Sequence, residues 1–177
     1  LEWFNYWREY MMKFLLWIGV DGTKLRYRDH EKEELSFYSN ATTDIEFKFP
    51  WGFGEVWGIA SRTNYDLNAH QTHSKENLEY LDPETNQKYL PYVVEPSLGV
   101  ERCLLTVLFS AYEEQELEHD SRVVLHLHPA LAPYKVAVLP LMKKLHSQKA
   151  REIEQILSEE FSTVYDETAN IGKLSLI

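Results

Sequence analysis

The spacing of apolar positions changes several times along the chain, and each change marks a predicted element. Trp3, Trp7, Tyr10, Phe14 and Trp17 recur every three or four residues, the spacing of one face of an amphipathic helix that Gly19 is placed to end. An aromatic stripe of this kind predicts a core-facing side. Arg26 to Glu34 is a polar stretch. From Thr43 to Phe49 polar and apolar residues alternate, which predicts a half-buried strand. Pro50, Gly52 and Gly54 permit a turn, and Glu55 to Arg62 reads as a second strand.

Residues 64–90 show little periodicity and include Asp82-Pro83-Glu84-Thr85-Asn86, so they read as a loop-rich insertion. Tyr92-Val93-Val94-Glu95 is a short apolar strand ending in an acid. Val100, Cys103, Leu104, Val107, Leu108 and Ala111 follow helical spacing, which predicts a buried helix with Arg102 in its first turns. The acidic run Glu113 to Asp120 reads as a solvated loop. A new unit starts near Pro129. Within it Tyr134 to Leu139 predicts a strand, Ala150, Ile153, Ile156, Leu157 and Phe161 a helix, and Ser162 to Tyr165 a further strand. Strand, helix, strand is one βαβ step of a parallel sheet. The pattern therefore predicts strands and helices in both parts, an α+β arrangement over 1–128 and then a partial α/β unit over 129–177.

Composition narrows the classes. Hydrophobic residues make up 44% and charged residues 26% of the 177, an ordinary globular balance. No apolar run is long enough to span a bilayer, and the first residues do not read as a secretion signal. The single Cys103 excludes an internal disulfide and a cysteine-based zinc site, so a reducing, cytoplasmic compartment is expected. A net charge of −10 argues against a general phosphate-backbone binder. Lys143, Lys144, Lys149 and Arg151 offer a small basic patch, which is equally the solvated face of a helix. His70 with His73, and His126 with His128, each supply half a metal-ligand spacing with no third ligand nearby, so no metal site is expected.

Two segments carry candidate chemistry. The first, Phe49 to Arg62, contains Gly52-Phe53-Gly54-Glu55-Val56-Trp57-Gly58-Ile59-Ala60-Ser61-Arg62. The second is Glu95-Pro96-Ser97-Leu98-Gly99-Val100-Glu101-Arg102. Both place carboxylates, small residues and an arginine on a strand or a strand-to-helix junction, a set suited to a ligand with an ammonium, a carboxylate and an aromatic base. Taken singly, each has a structural reading too. Glu55 is then a strand-end ion-pair partner, Ser97 a helix N-cap, Arg102 the partner of Glu101 or Glu95, and Arg62 one half of an ion pair.

The order Glu-Pro-Ser, small residue, Gly, apolar, acid, Arg, followed by an apolar helix, resembles the third signature motif of the class II aminoacyl-tRNA synthetases. The segment Gly52 to Arg62 narrows the resemblance to the dimeric type of glycyl-tRNA synthetase, and agreement runs from Leu1 to about Gly172. It implies ATP-dependent activation of glycine and its transfer to tRNA-Gly. The partners implied are glycine, ATP with Mg2+, tRNA-Gly and a second copy in a homodimer, with no membrane. The catalytic residues implied are Arg102 and Glu95. Glycine would be bound by Glu55, Arg62, Glu95, Pro96, Ser97, Leu98 and Gly99, and ATP by Glu55, Val56, Gly99, Val100, Glu101 and Arg102.

The resemblance also implies that 1–128 is part of a class II catalytic domain, an incomplete antiparallel sheet with helices and an insertion at about 64–90, and that 129–177 begins an anticodon-binding domain. The first two class II motifs of the family are not matched, and the chain departs from the family's basic stretch at Leu174-Ser175-Leu176-Ile177. A fragment inactive by itself is therefore expected. The alternative is a non-catalytic synthetase-like paralogue or accessory subunit that acts through interactions. His30, in Arg28-Asp29-His30-Glu31, recurs in the family within a positioning segment and is left without a role.

Overall fold

The computed structural model describes residues 1–117 and 120–168; the departure at Leu174 to Ile177 lies outside the described residues. The chain forms two compact units, Leu1–Phe109 and the part from Ser110 onward.

The first unit opens with α1 (Glu2–Trp17). Its end is set by Gly19, which adopts φ +91°, while the Val20 N–H bonds Leu15 O and the Gly19 N–H bonds Leu16 O. This is the paired closure in which glycine tolerates the left-handed residue after a helix. The helix buries Phe4, Met11 and Leu15, followed by Ile18 and Val20. The aromatic stripe is therefore not the core side: Trp3, Tyr10 and Trp17 are exposed, and Trp7 and Phe14 lie half-buried at the margin. Two helical stripes about a quarter-turn apart compete for the sheet, and the one with fewer and smaller rings, Phe4, Met11 and Leu15, is the one buried.

Strands β1 (Leu25–Asp29), β2 (Ala41–Phe49), β3 (Gly52–Ser61) and β6 (Val94–Leu98) form an antiparallel sheet in the order β1-β2-β3-β6. The polar stretch after Arg26 thus begins as a strand, because Leu25 and Tyr27 alternate with Arg26 and Arg28 and match the pleat of β2. Between β3 and β6 lie α2 (Tyr65–Ser74) and the short hairpin of β4 (Tyr80–Leu81) and β5 (Lys88–Tyr89). The region read as loop therefore contains a helix that buries no residue of its own, which is why it has no apolar periodicity. After β6 comes α3 (Val100–Ala111). It is buried along one side only, at Thr106, Val107 and Ala111, with Val100 and Leu104 exposed. Phe109 meets Phe49 and Trp51 edge-on at 5.8 and 5.4 Å.

In the second unit the acidic run read as a loop is a strand. β7 (Tyr112–Leu117) pairs with β8 (Asp120–Leu125) in an antiparallel hairpin, and Val123 and Val124 opposite Glu114 and Glu113 supply the β propensity that the acids lack. Beyond it, β9 (Val136–Val138), α4 (Lys143–Leu157) and β10 (Thr163–Tyr165) make the expected step, with β9 and β10 parallel. Lys143, Lys149 and Arg151 of α4 are used within the unit. Lys143 and Arg151 meet Glu167 at 2.9 and 3.3 Å, and Lys149 meets Glu152 at 2.9 Å. Hydrogen bonds from Lys143 and Tyr165 pull the Glu167 carboxyl down to about 2.

Candidate active site

The sheet has two unlike faces. On one, Ile45, Phe47, Trp57 and Ile59 are buried; α1 lies against β3 and β6, and Phe14 packs edge-on against Trp57 at 5.6 Å. The other is polar, and the strand register decides who stands on it. Asp44 pairs with Gly58 and Gly58 with Ser97. These three form a row across β2, β3 and β6, since directly paired residues share a face. Glu95, paired with Ala60, stands on the same face beside Ser97. Pro96 and Leu98, paired with Ile59 and Trp57, point to the apolar side. Pro96 is tolerated because β6 is the edge of this sheet.

Simple alternation would send Glu55, three residues from Gly58, to the apolar face. A β-bulge prevents this. Ile45 pairs with Trp57 but Glu46 pairs with Glu55, so Val56 is an extra residue in β3, and one extra residue inverts the facing of everything before it. Val56 itself is buried. Glu55 thereby joins Asp44, Glu46, Gly58, Glu95 and Ser97. A Cβ added to Gly58 would lie 3.3 Å from Glu55 Oε1 and 3.8 Å from Asp44 Oδ1, so both carboxylates reach over that glycine.

Cations answer most of these acids. Arg26 Nε donates to Glu46 Oε2 at 2.6 Å and its guanidinium lies 3.7 Å from the Phe53 ring centre. His30 Nε2 and Asp44 Oδ2 are 2.7 Å apart, and Arg28 Nη1 stands 3.6 Å from the same oxygen. Arg62, just past β3, donates Nη1 to Glu95 Oε2 at 2.6 Å and clasps Asp66 through Nε and Nη2 at 2.6 and 3.0 Å. It also covers the Tyr38 ring at 4.1 Å. Those hydrogen bonds, Asp66 first, raise the Arg62 pKa, and in turn the Arg62 bond holds the Asp66 carboxyl below its ordinary range. Arg102 donates Nη1 to the Glu55 carbonyl at 2.8 Å, with Glu55 Oε2 at 4.0 Å. Glu55 and Arg102 keep 53% and 61% of their side-chain area exposed, which leaves their charged ends open to a ligand.

Of the candidate residues, the fold gathers Glu55, Glu95 and Ser97 on one face, binds Arg62 to Glu95, and brings Arg102 against β3. A Cβ at Gly99 would sit 3.6 Å from the Arg102 Cβ. Val100 and Glu101 are exposed at the start of α3. Asp44, Gly58, Arg26 and Arg28 were not singled out by sequence reasoning, and His30 was left without a role. Their signal was present in the alternation Asp44, Glu46 and Arg26, Arg28, His30, but it acquires meaning only when the two strands pair.

No family model matches the chain. Against curated proteins it is 58% identical, over 98% of its length, to the glycine--tRNA ligase of Clostridium acetobutylicum, covering 37% of that protein. It is 58% identical to that of Clostridium perfringens, covering 38%, and 59% identical to that of Clostridium beijerinckii, covering 37%, each again over 98% of the chain. The chain corresponds, over nearly its whole length, to one segment of these glycine--tRNA ligases. It spans a little over a third of the length of the curated relatives it matches, and the matched part takes in the whole polar face of the sheet. No helix among the described residues is long and apolar enough to cross a membrane. Among the same residues no group of three or more His, Cys, Asp or Glu is arranged to hold a metal ion.

Proposed function

We propose that this chain acts as part of a glycine--tRNA ligase, in the ATP-dependent activation of glycine and its transfer to tRNA-Gly. The observation that carries the reading is identity of 57 to 59% along nearly the whole chain to proteins of that name. The composition of the polar face supports it. Glycine offers an ammonium, a carboxylate and no side chain, so a site that selects it must hold the two charges and leave no room for a methyl. Glu55, Glu95 and the Ser97 hydroxyl are the groups assigned to the ammonium, by charge-assisted hydrogen bonds. Arg62, bonded to Glu95, sits on the same side for the glycine carboxylate, with Pro96, Leu98 and Gly99 shaping the strand around it.

In the reaction proposed, an oxygen of the glycine carboxylate bonds to the α-phosphorus of ATP and pyrophosphate leaves; the adenylate then passes glycine to the tRNA 3′ end. The nucleophile is already an anion, so the first step needs positioning and neutralisation of charge more than proton transfer. Arg102 is the residue assigned to that task beside Glu95. Its planar guanidinium stacks on adenine in a way a lysine cannot, and its bond to the Glu55 carbonyl aims it. Glu55, Val56, Gly99, Val100 and Glu101 complete the nucleotide side. Magnesium enters this reading on the nucleotide phosphates, consistent with the usual shortage of protein ligands for that ion. We assign residues 1–128 to a class II catalytic domain and 129–177 to the start of an anticodon-binding domain, in a cytoplasmic homodimer.

The test is a graft. The chain replaces the matching segment of the Clostridium acetobutylicum relative, and glycine-dependent exchange of pyrophosphate into ATP is measured. Exchange is expected, and Arg102→Lys in the graft should lower it by about a hundredfold or more. A folded graft with no glycine-dependent exchange overturns the reading.

A further inference from the structure

Gly58 occupies the centre of the polar face for reasons of register. It is paired on one side with Asp44 and on the other with Ser97, and the Val56 bulge brings Glu55 over it. Asp44 is 9% exposed, and its Oδ2 is the oxygen engaged by His30 and Arg28. The other oxygen, Oδ1, is the one turned toward Gly58, 3.8 Å from where a Cβ would be. Glu55 Oε1 approaches the same point to 3.3 Å, closer than most real Cβ contacts. The point where a Cβ of residue 58 would stand therefore has a fixed carboxylate oxygen at one side and a mobile one at the other.

We propose that Gly58 and Asp44 determine amino-acid specificity: Gly58 is the floor of the seat for the substrate ammonium, and Asp44, held by His30, is its fixed wall. The inference rests on the glycine reading above and adds to it two residues outside the matched signature segments' assigned set. Glu55 is exposed and can swing, so by itself it would accept the ammonium of a larger amino acid by moving. Asp44 is held by two partners and cannot move with it. A methyl at residue 58 takes the volume an ammonium needs and pushes Glu55 aside, whereas a methyl on the substrate meets a floor and wall that do not yield. His30 acts through Asp44 and is a positioning residue.

The graft described above gives the test. In it, Asp44→Asn keeps the shape of the wall and removes its charge. The KM for glycine in pyrophosphate exchange is expected to rise by about tenfold or more, the loss of one charged hydrogen bond, with the KM for ATP within about twofold of the unsubstituted graft. Gly58→Ala is expected to raise the glycine KM by roughly 10- to 200-fold. Shortening the displaced carboxylate, in Gly58→Ala/Glu55→Asp, should recover part of that loss. A merely structural role would move the two KM values together and would not be rescued. A glycine KM unchanged in both single variants, or raised in parallel with that for ATP, overturns the inference. Should Gly58→Ala fail to fold, the split between glycine and ATP in Asp44→Asn decides alone. An unsubstituted graft with no exchange overturns the glycine reading and this inference with it.

Discussion

The two faces of the four-stranded sheet are made from alternate residues of the same strands, yet different forces hold them. On the α1 side Leu15, Ile45 and Ile59 are fully buried and Phe47 nearly so; this face is kept by burial of apolar area, which is non-directional and scales with size. On the opposite side Asp44 and Glu46 are also buried, but each is an acid matched with a cation from β1. Such pairs add little net stability and are costly when one member is lost. The first face can exchange one apolar side chain for another of similar volume. The second cannot lose one member of these pairs without leaving a charge uncompensated, so at those positions residue identities are specified.

The most severe test of this comparison is to delete Val56. Without the extra residue β3 must place either Glu55 or the run from Trp57 on the wrong side of the sheet. The expected loss is about 5 kcal/mol or more, beyond what ordinary substitutions cause, with unfolding of the first unit seen in denaturant titration. Near-native stability would show that the bulge does not decide which face Glu55 occupies. On the apolar face, Phe47→Ala should cost about 3–5 kcal/mol from lost contact and the cavity left behind, read as a lower denaturation midpoint. Phe47→Leu should cost far less, as befits a face held by volume.

On the polar face the pairing logic predicts a different pattern. Arg26→Ala strands Glu46, whose side chain is 11% exposed, and should cost about 1–3 kcal/mol. Adding Glu46→Gln should recover part of that, since the uncompensated charge is then gone. Additive losses in this double-mutant cycle would show that the two side chains do not depend on one another.

The smallest expected effect is on pH dependence. Asp66 has its pKa lowered below the ordinary 3.8 by the Arg62 hydrogen bond. The folded state therefore binds this proton less readily than the unfolded one, and the stabilisation is complete above pH 3.8 and lost as pH falls through the lowered value. Because the pair is partly exposed, solvent and salt screen it. Acid titration of Arg62→Met should be flatter than that of the unsubstituted chain below pH 3.8; identical acid limbs would remove Arg62–Asp66 from the account.

Strand β2 was legible in the sequence because its polar and apolar residues alternate, and β3 because a turn and an apolar run preceded the arginine. The helix α1 was legible as a helix, yet its inward side was misassigned: large aromatic rings advertise a core, while the sheet accepts the smaller stripe of Phe4, Met11 and Leu15. The hairpin β7–β8 was hidden because acids dominate β7 and the valines that stabilise it lie on its partner strand. β1 was hidden for a related reason: its charges find partners far along the chain, Arg26 at Glu46 and Arg28 at Asp44 of β2.

The resemblance to glycyl-tRNA synthetases, and with it Glu55, Glu95, Ser97 and Arg102 as a candidate set, came from the sequence alone, because those residues lie in two short runs whose order is itself the signal. What joins the set was decided only in three dimensions. Facing on a strand depends on parity, and parity across β3 is broken by one residue, Val56, whose extra place shows only in the pairing with β2. Likewise Asp44, Gly58 and Ser97 are separated by 14 and 39 positions along the chain but adjacent across the sheet. Hydrogen-bonded register brings them together, and register is a property of strand pairs that no single stretch of residues carries.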